Sequence, residues 1–462
     1  MRGGATRPRS ESWAVFGIAL SVRLAVVAWA SGRIPPIVDG AFYQVIASRI
    51  ANGQGYTWLW PDGVVTYAAH YPVGYPALLG AAYALFGSSP TVGMLLNATF
   101  GALGAYAAHR LLARYGRVAL AGGLFVGIHP GLVGYTPALM TEVVAGSLVL
   151  VAASLASYAR SVSLTASARG ASHRRWLGAL VGTGALLGIA TLVRPQLVVV
   201  APLIGFASAP PVASRRFAAA LLVTAIGVLT CIPWTLRNCS RMGRCAFVSV
   251  NGGWNLLIGT NAEAHGGWAA VEVPGDEAGK DACFGLAARR RILSAPLGWV
   301  ALMPEKLGAT FDHCNAAGWY LHEANPTAFS YRAKVTLGVV ETLFERVMLA
   351  GAIVASYRPR RAAGRSTLRR NLRKAAALTG VGLAFSPYGA LAHLLLAAGL
   401  GLQAIRTRLR PLEVSAFAVL TSTMVIHAVF FGGGRYQLPV LAWTSMLAAM
   451  NLPSPRRKPR RQ

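Results

Sequence analysis

The stretch WAVFGIALSVRLAVVAWAS, residues 13–31, governs how the rest of the chain is read. At a helical rise of about 1.5 Å per residue it is long enough to cross the roughly 30 Å hydrocarbon core of a bilayer. Arg2, Arg7 and Arg9 precede it and Arg23 interrupts it. Ala28-Trp29-Ala30 is compatible with a signal-peptide cleavage site, but similar apolar segments recur down the chain, so a retained first span is expected.

The composition agrees with a membrane reading. Of 462 residues 54% are hydrophobic, and 44 Lys and Arg stand against 15 Asp and Glu, a formal net charge of +29. Only 13% of residues are charged, against about a quarter in ordinary soluble domains, and the mean hydropathy is +0.48. A nucleic-acid binder this basic would carry its charge on a polar domain. Here Arg clusters alternate with apolar runs, so no nucleic-acid partner is expected and the charge is read as topology.

Basic residues concentrate at 110–117, 160–175, 215–216, 358–374, 406–410 and 456–461, and short cytoplasmic loops are enriched in them. Spans at 13–31, 91–113, 118–135, 143–160, 177–193, 195–208, 217–235, 336–356, 375–388, 389–404, 412–431 and 436–452 place each cluster inside, with both termini inside. The expected fold class is an all-α polytopic membrane protein of about 12 transmembrane helices. Segment 71–87 breaks this parity and contains Pro72, Gly74 and Pro76, so it reads as a re-entrant or membrane-surface helix. Before it, 42–51 reads as a short amphipathic helix, with Trp58, Trp60 and Tyr67 suited to an interface. The division expected is a transmembrane core at 1–235 with outer loops at about 32–90 and 136–142, a large outer segment at 236–335, and C-terminal helices with a basic cytoplasmic tail at 336–462. The outer segment predicts a helix at 276–293 and another from Pro296.

This topology sorts the acids. Glu11 and Glu413 fall inside, Glu341 and Glu345 in or near a span, and the others outside. Asp39 lies just past the first span in PPIVDGAFY, residues 35–43, where it can cap the next helix at a gain of about 1 kcal/mol or face a cavity. Glu142 sits at the rim of the following pair of spans, where a carboxylate is expensive unless it meets a partner or a cavity. Arg23, inside a span, is expected to face the bundle.

With these residues in hand the chain resembles the GT-C superfamily of polyprenyl-phosphate-sugar glycosyltransferases, in particular its ArnT-like and protein O-mannosyltransferase-like branch. The resemblance rests on Asp39 with Tyr43, ANGQGY at 51–56, HYPVGYPALL at 70–79, Glu142, Arg194-Pro195, PWTLRN at 233–238, NGGWNL at 251–256 and RYQLP at 435–439. It implies a GT-C-type bundle with juxtamembrane helices in the first outer loop, and a catalytic base at Asp39 with Glu142 in the same cavity. It also implies a polyprenyl-phosphate sugar donor, a lipid, glycan or protein acceptor, and a multi-pass inner-membrane location with the site facing outward among membrane lipids. Many relatives carry an Asp or an Asp-Glu pair where this chain has Glu142 alone, so a divalent metal stays an open question, and no sequon-reading motif is present.

Transfer from a lipid phosphate needs one base for the acceptor hydroxyl and no partner acid, because phosphate leaves without a proton. Guanidinium groups would hold the departing charge. Arg194 and Arg435 with Tyr436 are the candidates; Arg194 could equally serve as an interfacial anchor, a role that suits Arg435 less because Gly432, Gly433 and Gly434 beside it permit close backbone approach. His70 is a candidate for phosphate or acceptor or for local structure at a helix entry. The alternatives are a secondary transporter or lipid flippase, or a non-catalytic scaffold. Transporters favour repeated halves and ionisable groups near the midplane, whereas here most acids collect at the outer rim.

Of five cysteines, Cys231 falls in a span. Sequence proximity pairs Cys239 with Cys245 and Cys283 with Cys314, free thiols being the alternative. No spacing suits a zinc site, and His265, His313 and His322 read as surface residues.

Overall fold

The computed structural model describes residues 7–165, 171–270, 277–358, 367–406 and 409–453. Helix α1 (Arg7–Ala30) is followed by α2 (Asp39–Ala51), a hairpin of β1 (Thr57–Leu59) and β2 (Val65–Tyr67), α3 (Gly74–Phe86) and α4 (Pro90–Leu112). Next come α5 (Arg117–Ile128), α6 (Pro130–Gly134), α7 (Thr141–Thr165), α8 (Ala171–Val193), a 3₁₀ turn (Pro195–Val200), α9 (Ala201–Ala207) and α10 (Ala213–Arg241). The large loop segment holds α11 (Gly252–Ile258), α12 (Glu277–Ser294), α13 (Pro296–Ala301), α14 (Met303–Phe311) and α15 (Ala316–Ala324). The chain then runs through α16 (Tyr331–Tyr357), α17 (Thr367–Ala384), α18 (Gly389–Arg406), α19 (Pro411–Val429), a 3₁₀ turn (Gly434–Gln437) and α20 (Leu438–Ala449).

Among the described residues six helices are long and apolar enough to cross a membrane: Ser10–Ala30, Pro90–Tyr115, Thr141–Leu164, Ala171–Val193, Ala213–Arg241 and Pro411–Val429. Most of the other expected spans correspond to shorter or interrupted helices. The 118–135 span breaks at His129-Pro130 into α5 and α6, and 195–208 begins as the 3₁₀ turn. Helix α16 is long but carries Glu341, Glu345 and Arg346, all buried.

Small residues bring the helices together. On α4, Ala98, Ala102, Ala105 and Ala108 are fully buried at i, i+4, i+7 and i+10, one face of a 3.6-residue period. That helix packs against α1, α5 and α7. On α8, a Cβ at Gly188 would meet the Gly227 carbonyl of α10 at 2.7 Å, so the two backbones touch in the way small residues permit in membrane bundles.

Several buried charged groups find partners inside the bundle. Arg23 is 1% exposed and faces the bundle, donating from Nη1 to the Ala19 carbonyl at 3.0 Å and the Gly127 carbonyl at 2.6 Å. Glu345 ties α16 to its neighbours: Oε2 lies 3.4 Å from His129 Nε2 and accepts from Thr444 Oγ1 at 3.1 Å, and Oε1 lies 3.8 Å from His393 Nε2. Glu341 Oε1 accepts from the Gly318 amide at 3.0 Å.

Segment 71–87 forms α3, lying against α2, α4 and α8. The hairpin before it is antiparallel with Thr57 opposite Tyr67 and Leu59 opposite Val65. Its turn is WPDGV, residues 60–64, in which Gly63 takes φ +84° and Asp62 Oδ1 accepts from the Val64 amide at 3.0 Å. Proline, aspartate and glycine in this order are a turn signal.

Cys239 and Cys245 form a disulfide that closes the turn after α10. The second expected pairing does not form. Cys283 is exposed on α12, while Cys314 is buried with Sγ 3.9 Å from Glu341 Oε2 under α16, so packing separates two thiols that proximity had joined.

Candidate active site

Four helix ends supply the charged groups of one cavity of about 440 Å³. Asp39 opens α2, Glu142 lies in the first turn of α7, Arg194 follows the end of α8, and Arg435 sits in the 3₁₀ turn before α20. Each carboxylate is at a helix N-terminus and Arg194 is at a C-terminus, the arrangement helix dipoles favour.

Asp39 does not cap its helix. Val38 is the N-cap and no side-chain cap bond forms. The carboxylate turns to the cavity instead, where Oδ2 lies 2.8 Å from Arg435 Nη1 and Oδ1 accepts from the Tyr71 hydroxyl at 3.0 Å. Burial and the neighbouring Asp39 hold the Tyr71 phenol well above its ordinary range, so Tyr71 keeps its proton and donates. Val38 reaches this geometry at φ +45°, where a β-branched residue is strained by about 1–3 kcal/mol.

Glu142 is almost fully enclosed. Its Oε1 lies 2.7 Å from Arg194 Nη1 and 3.8 Å from Arg435 Nε, with side chains of Glu142 and Arg194 2% and 12% exposed. Among the described residues its Oε2 has no hydrogen-bond partner. Arg194 Nη1 also donates to Thr141 Oγ1 at 3.2 Å, and the Gln196 amide, turned to present its oxygen, accepts from Arg194 Nε at 2.9 Å and Nη2 at 3.1 Å.

Tyr436 keeps the two guanidinium groups side by side. Arg194 Cζ lies 5.4 Å and Arg435 Cζ 5.0 Å from its ring centre, within reach of a cation–π attraction that offsets their mutual repulsion. Arg435 Nη2 also donates to the Tyr436 hydroxyl at 3.1 Å. The ring is stacked on His427 at 4.2 Å and 13°.

The rest of the cavity divides by chemistry. Val193, Pro195, Phe247, Ile426, Phe430 and Phe431 make an apolar wall, and Ser249, Asn251, Trp254, Asn255 and Trp268 a polar and aromatic one. Helix α12 ties down two nearby segments of chain with carboxylates one turn apart. Asp281 Oδ1 accepts from the Gly253 and Trp254 amides at 2.7 and 3.1 Å, and Glu277 Oε2 from the Ala69 and His70 amides at 2.6 and 3.0 Å.

Of the six residues singled out in the sequence, Asp39, Glu142, Arg194, Arg435 and Tyr436 line the cavity and His70 does not. Its ring packs against Tyr71 and Trp254 at 4.8 and 4.7 Å, and burial lowers the imidazole to about 4. A ring neutral at physiological pH brings no positive charge to a phosphate. Tyr71 and Gln196 were not singled out, because their importance lies in contacts across 32 residues or with a neighbouring side chain, neither of which has a sequence period.

The described side chains do not by themselves make a divalent-metal cage. Among the described residues no three His, Cys, Asp or Glu side chains converge, and Arg435 already stands between the two carboxylates as their shared cation. No step is therefore routed through a metal.

Fold and site together define a helical bundle with membrane-spanning helices and a charged cavity at one end. No family model and no curated protein matches the sequence. Among solved structures, the chain is similar to the archaeal oligosaccharyltransferase AglB from Archaeoglobus fulgidus in complex with an inhibitory peptide and a dolichol-phosphate. That match has a TM-score of 0.49 and 15% identity over 97% of this chain and 50% of the other. It is also similar to ArnT from Cupriavidus metallidurans, with a TM-score of 0.41 and 14% identity in the apo state, over 95% of this chain and 78% of that one. Against the same protein bound to undecaprenyl phosphate the values are 0.40 and 15%, over 94% and 77%. The chain spans about half the length of AglB. At these identities the chemistry of the site rests on its own geometry.

Proposed function

We propose that the chain is a GT-C-type membrane glycosyltransferase that moves a sugar from a polyprenyl-phosphate donor to an acceptor on the extracytoplasmic face, with inversion and Asp39 as base. The observation that carries this reading is the exchangeable ion-pair set, two arginines held by two carboxylates in one cavity. A donor phosphate competes with the carboxylates for the guanidinium groups, since Arg binds both anions in the same forked way. When Arg435 turns to the phosphate, Asp39 Oδ2 is released to the acceptor. The base is thus set free by the arrival of the donor.

In the step itself the acceptor oxygen bonds to the anomeric carbon as its proton passes to Asp39. The bond from that carbon to the phosphate oxygen breaks, and the polyprenyl phosphate leaves with the electron pair. Arg194 and Arg435 hold the departing charge, so no general acid is needed. The apolar wall suits the prenyl chain, and Trp254 and Trp268 with Asn251 and Asn255 suit sugar hydroxyls and faces.

The test compares surface glycans, glycolipids and glycoproteins of a deletion strain complemented with wild type or Asp39→Asn. Loss of the same glycan with Asp39→Asn as with the deletion, at normal membrane levels of the protein, is the expected result. Full glycosylation with Asp39→Asn overturns the mechanism.

A further inference from the structure

The reactive groups of this site come from separate elements, so something must fix Asp39 relative to Glu142. Both carboxylates are preceded by irregular chain, Asp39 by 31–38 and Glu142 by 135–140. The two segments meet at the side chain of Tyr320 on α15.

Tyr320 is 1% exposed, so its hydroxyl must find partners within the protein or remain a buried polar atom without one. It accepts from the Ile37 amide at 3.2 Å, two residues before Asp39, and lies beside the Leu139 backbone, three residues before Glu142, the two meeting over Gly40. The contact is closed by Gly40. A Cβ there would lie 2.9 Å from the Tyr320 hydroxyl and 3.2 Å from the Leu139 carbonyl. The Tyr135 ring packs edge-on against Tyr320 at 5.9 Å.

We infer that the Tyr320 hydroxyl is a positioning group for the transfer reaction, joining the two segments that lead into the carboxylate-bearing helices so that Asp39 and Glu142 face Arg435 together. This rests on the proposed catalytic reading of Asp39. The geometry gives the hydroxyl two tasks. On one loop it anchors Ile37, next to Val38 at φ +45°, so the strained turn aiming Asp39 into the cavity is held from the side before it. On the other it complements Asn97, whose Nδ2 donates to the Ala138 and Thr136 carbonyls at 2.7 and 3.2 Å. The 136–139 segment is thereby clamped between α4 and α15. Burial raises the phenol to about 12, so the group acts as a neutral hydroxyl and takes no proton from the reaction.

The experiment uses full-length protein in nanodiscs with Tyr320→Phe, which keeps the ring and removes one oxygen, and Tyr320→Leu as the packing control. Amide hydrogen exchange is followed in peptides covering 34–42 and 135–142, and transfer is assayed with a panel of synthetic polyprenyl-phosphate pentoses and hexoses. In Tyr320→Phe, exchange is expected to rise about fivefold in both segments, the equivalent of one ordinary hydrogen bond, while α15 itself keeps wild-type exchange. The kcat is expected to fall about tenfold with KM for the donor unchanged. Tyr320→Leu should in addition loosen α15. Unchanged exchange in both segments overturns the inference, and so does faster exchange with wild-type kcat. If wild type transfers from no donor in the panel, the catalytic reading fails, and the coupling of the two loops is then decided by exchange alone.

Discussion

Arg194 offers the sharpest test of how the cavity is held together. Arg194→Ala removes the 2.7 Å contact to Glu142 Oε1 and the bond to Thr141. Glu142 is then left 2% exposed with Oε2 unpartnered among the described residues and Arg435 Nε 3.8 Å from Oε1. Stranding one member of a buried ion pair costs about 3–5 kcal/mol. Arg194→Lys keeps the charge but loses the fork that engages Gln196, a loss of about 1–1.5 kcal/mol for an ordinary hydrogen bond. Thermal melting of the detergent-solubilised protein should therefore rank wild type, Arg194→Lys and Arg194→Ala in that order. The informative construction is the double-mutant cycle with Glu142→Gln. Removing both charges leaves no stranded ion, so the double variant should melt above Arg194→Ala, with a coupling of about 1–3 kcal/mol. Additive losses, or an Arg194→Ala protein that melts with wild type, refute the ion-pair account.

Three further outcomes are expected. Gly74→Ala places a Cβ 2.6 Å from backbone atoms of Leu192 and Val193, immediately before Arg194, so it should cost about 1–3 kcal/mol by overpacking in a melting experiment and reduce transfer. His70 takes up a proton near 6.5 when unfolded and near 4 when folded, because burial outweighs the pull of Asp39. The stability contributed by its neutral ring is complete above pH 6.5 and is lost as pH falls through 4; melting between pH 7 and 4 should show an acid limb that His70→Asn flattens, and an unaltered limb refutes the assignment. In non-reduced native protein a thiol reagent should label Cys283 and spare Cys239, Cys245 and Cys314, as read by peptide mass analysis; labelling of Cys239 without reduction counts against the disulfide.

The helical membrane architecture was legible because hydropathy and the placement of Arg are local signals. Asp39, Glu142, Arg194 and Arg435 stood out for a related reason: each is a charge at the edge of an apolar run, where desolvation makes charge costly. The structure brings these four around one cavity. What sequence did not carry was lateral arrangement. His70 adjoins the site in the chain, yet its ring packs against Tyr71 and Trp254 and does not itself line the cavity. Cys283 and Cys314 are near in sequence, yet an exposed helix face and a buried one separate them. Tyr320 lies in a nine-residue helix with no motif to mark it, and its importance follows from a backbone partner 283 residues away and a contact with another loop over Gly40. Asp39 shows the same limit at one residue: its position before a helix fits a cap, and only the Arg435 and Tyr71 contacts show that the side chain points elsewhere.

The turn at Val38 has an evolutionary corollary. A left-handed φ suits glycine, so a laboratory screen for heat tolerance should recover Val38→Gly where relief of strain outweighs the added freedom of the unfolded chain. Such a variant would tolerate heat better while aiming Asp39 less strictly, a familiar trade between durability and turnover. A branched side chain at that φ sets heat tolerance and the aim of Asp39 against each other.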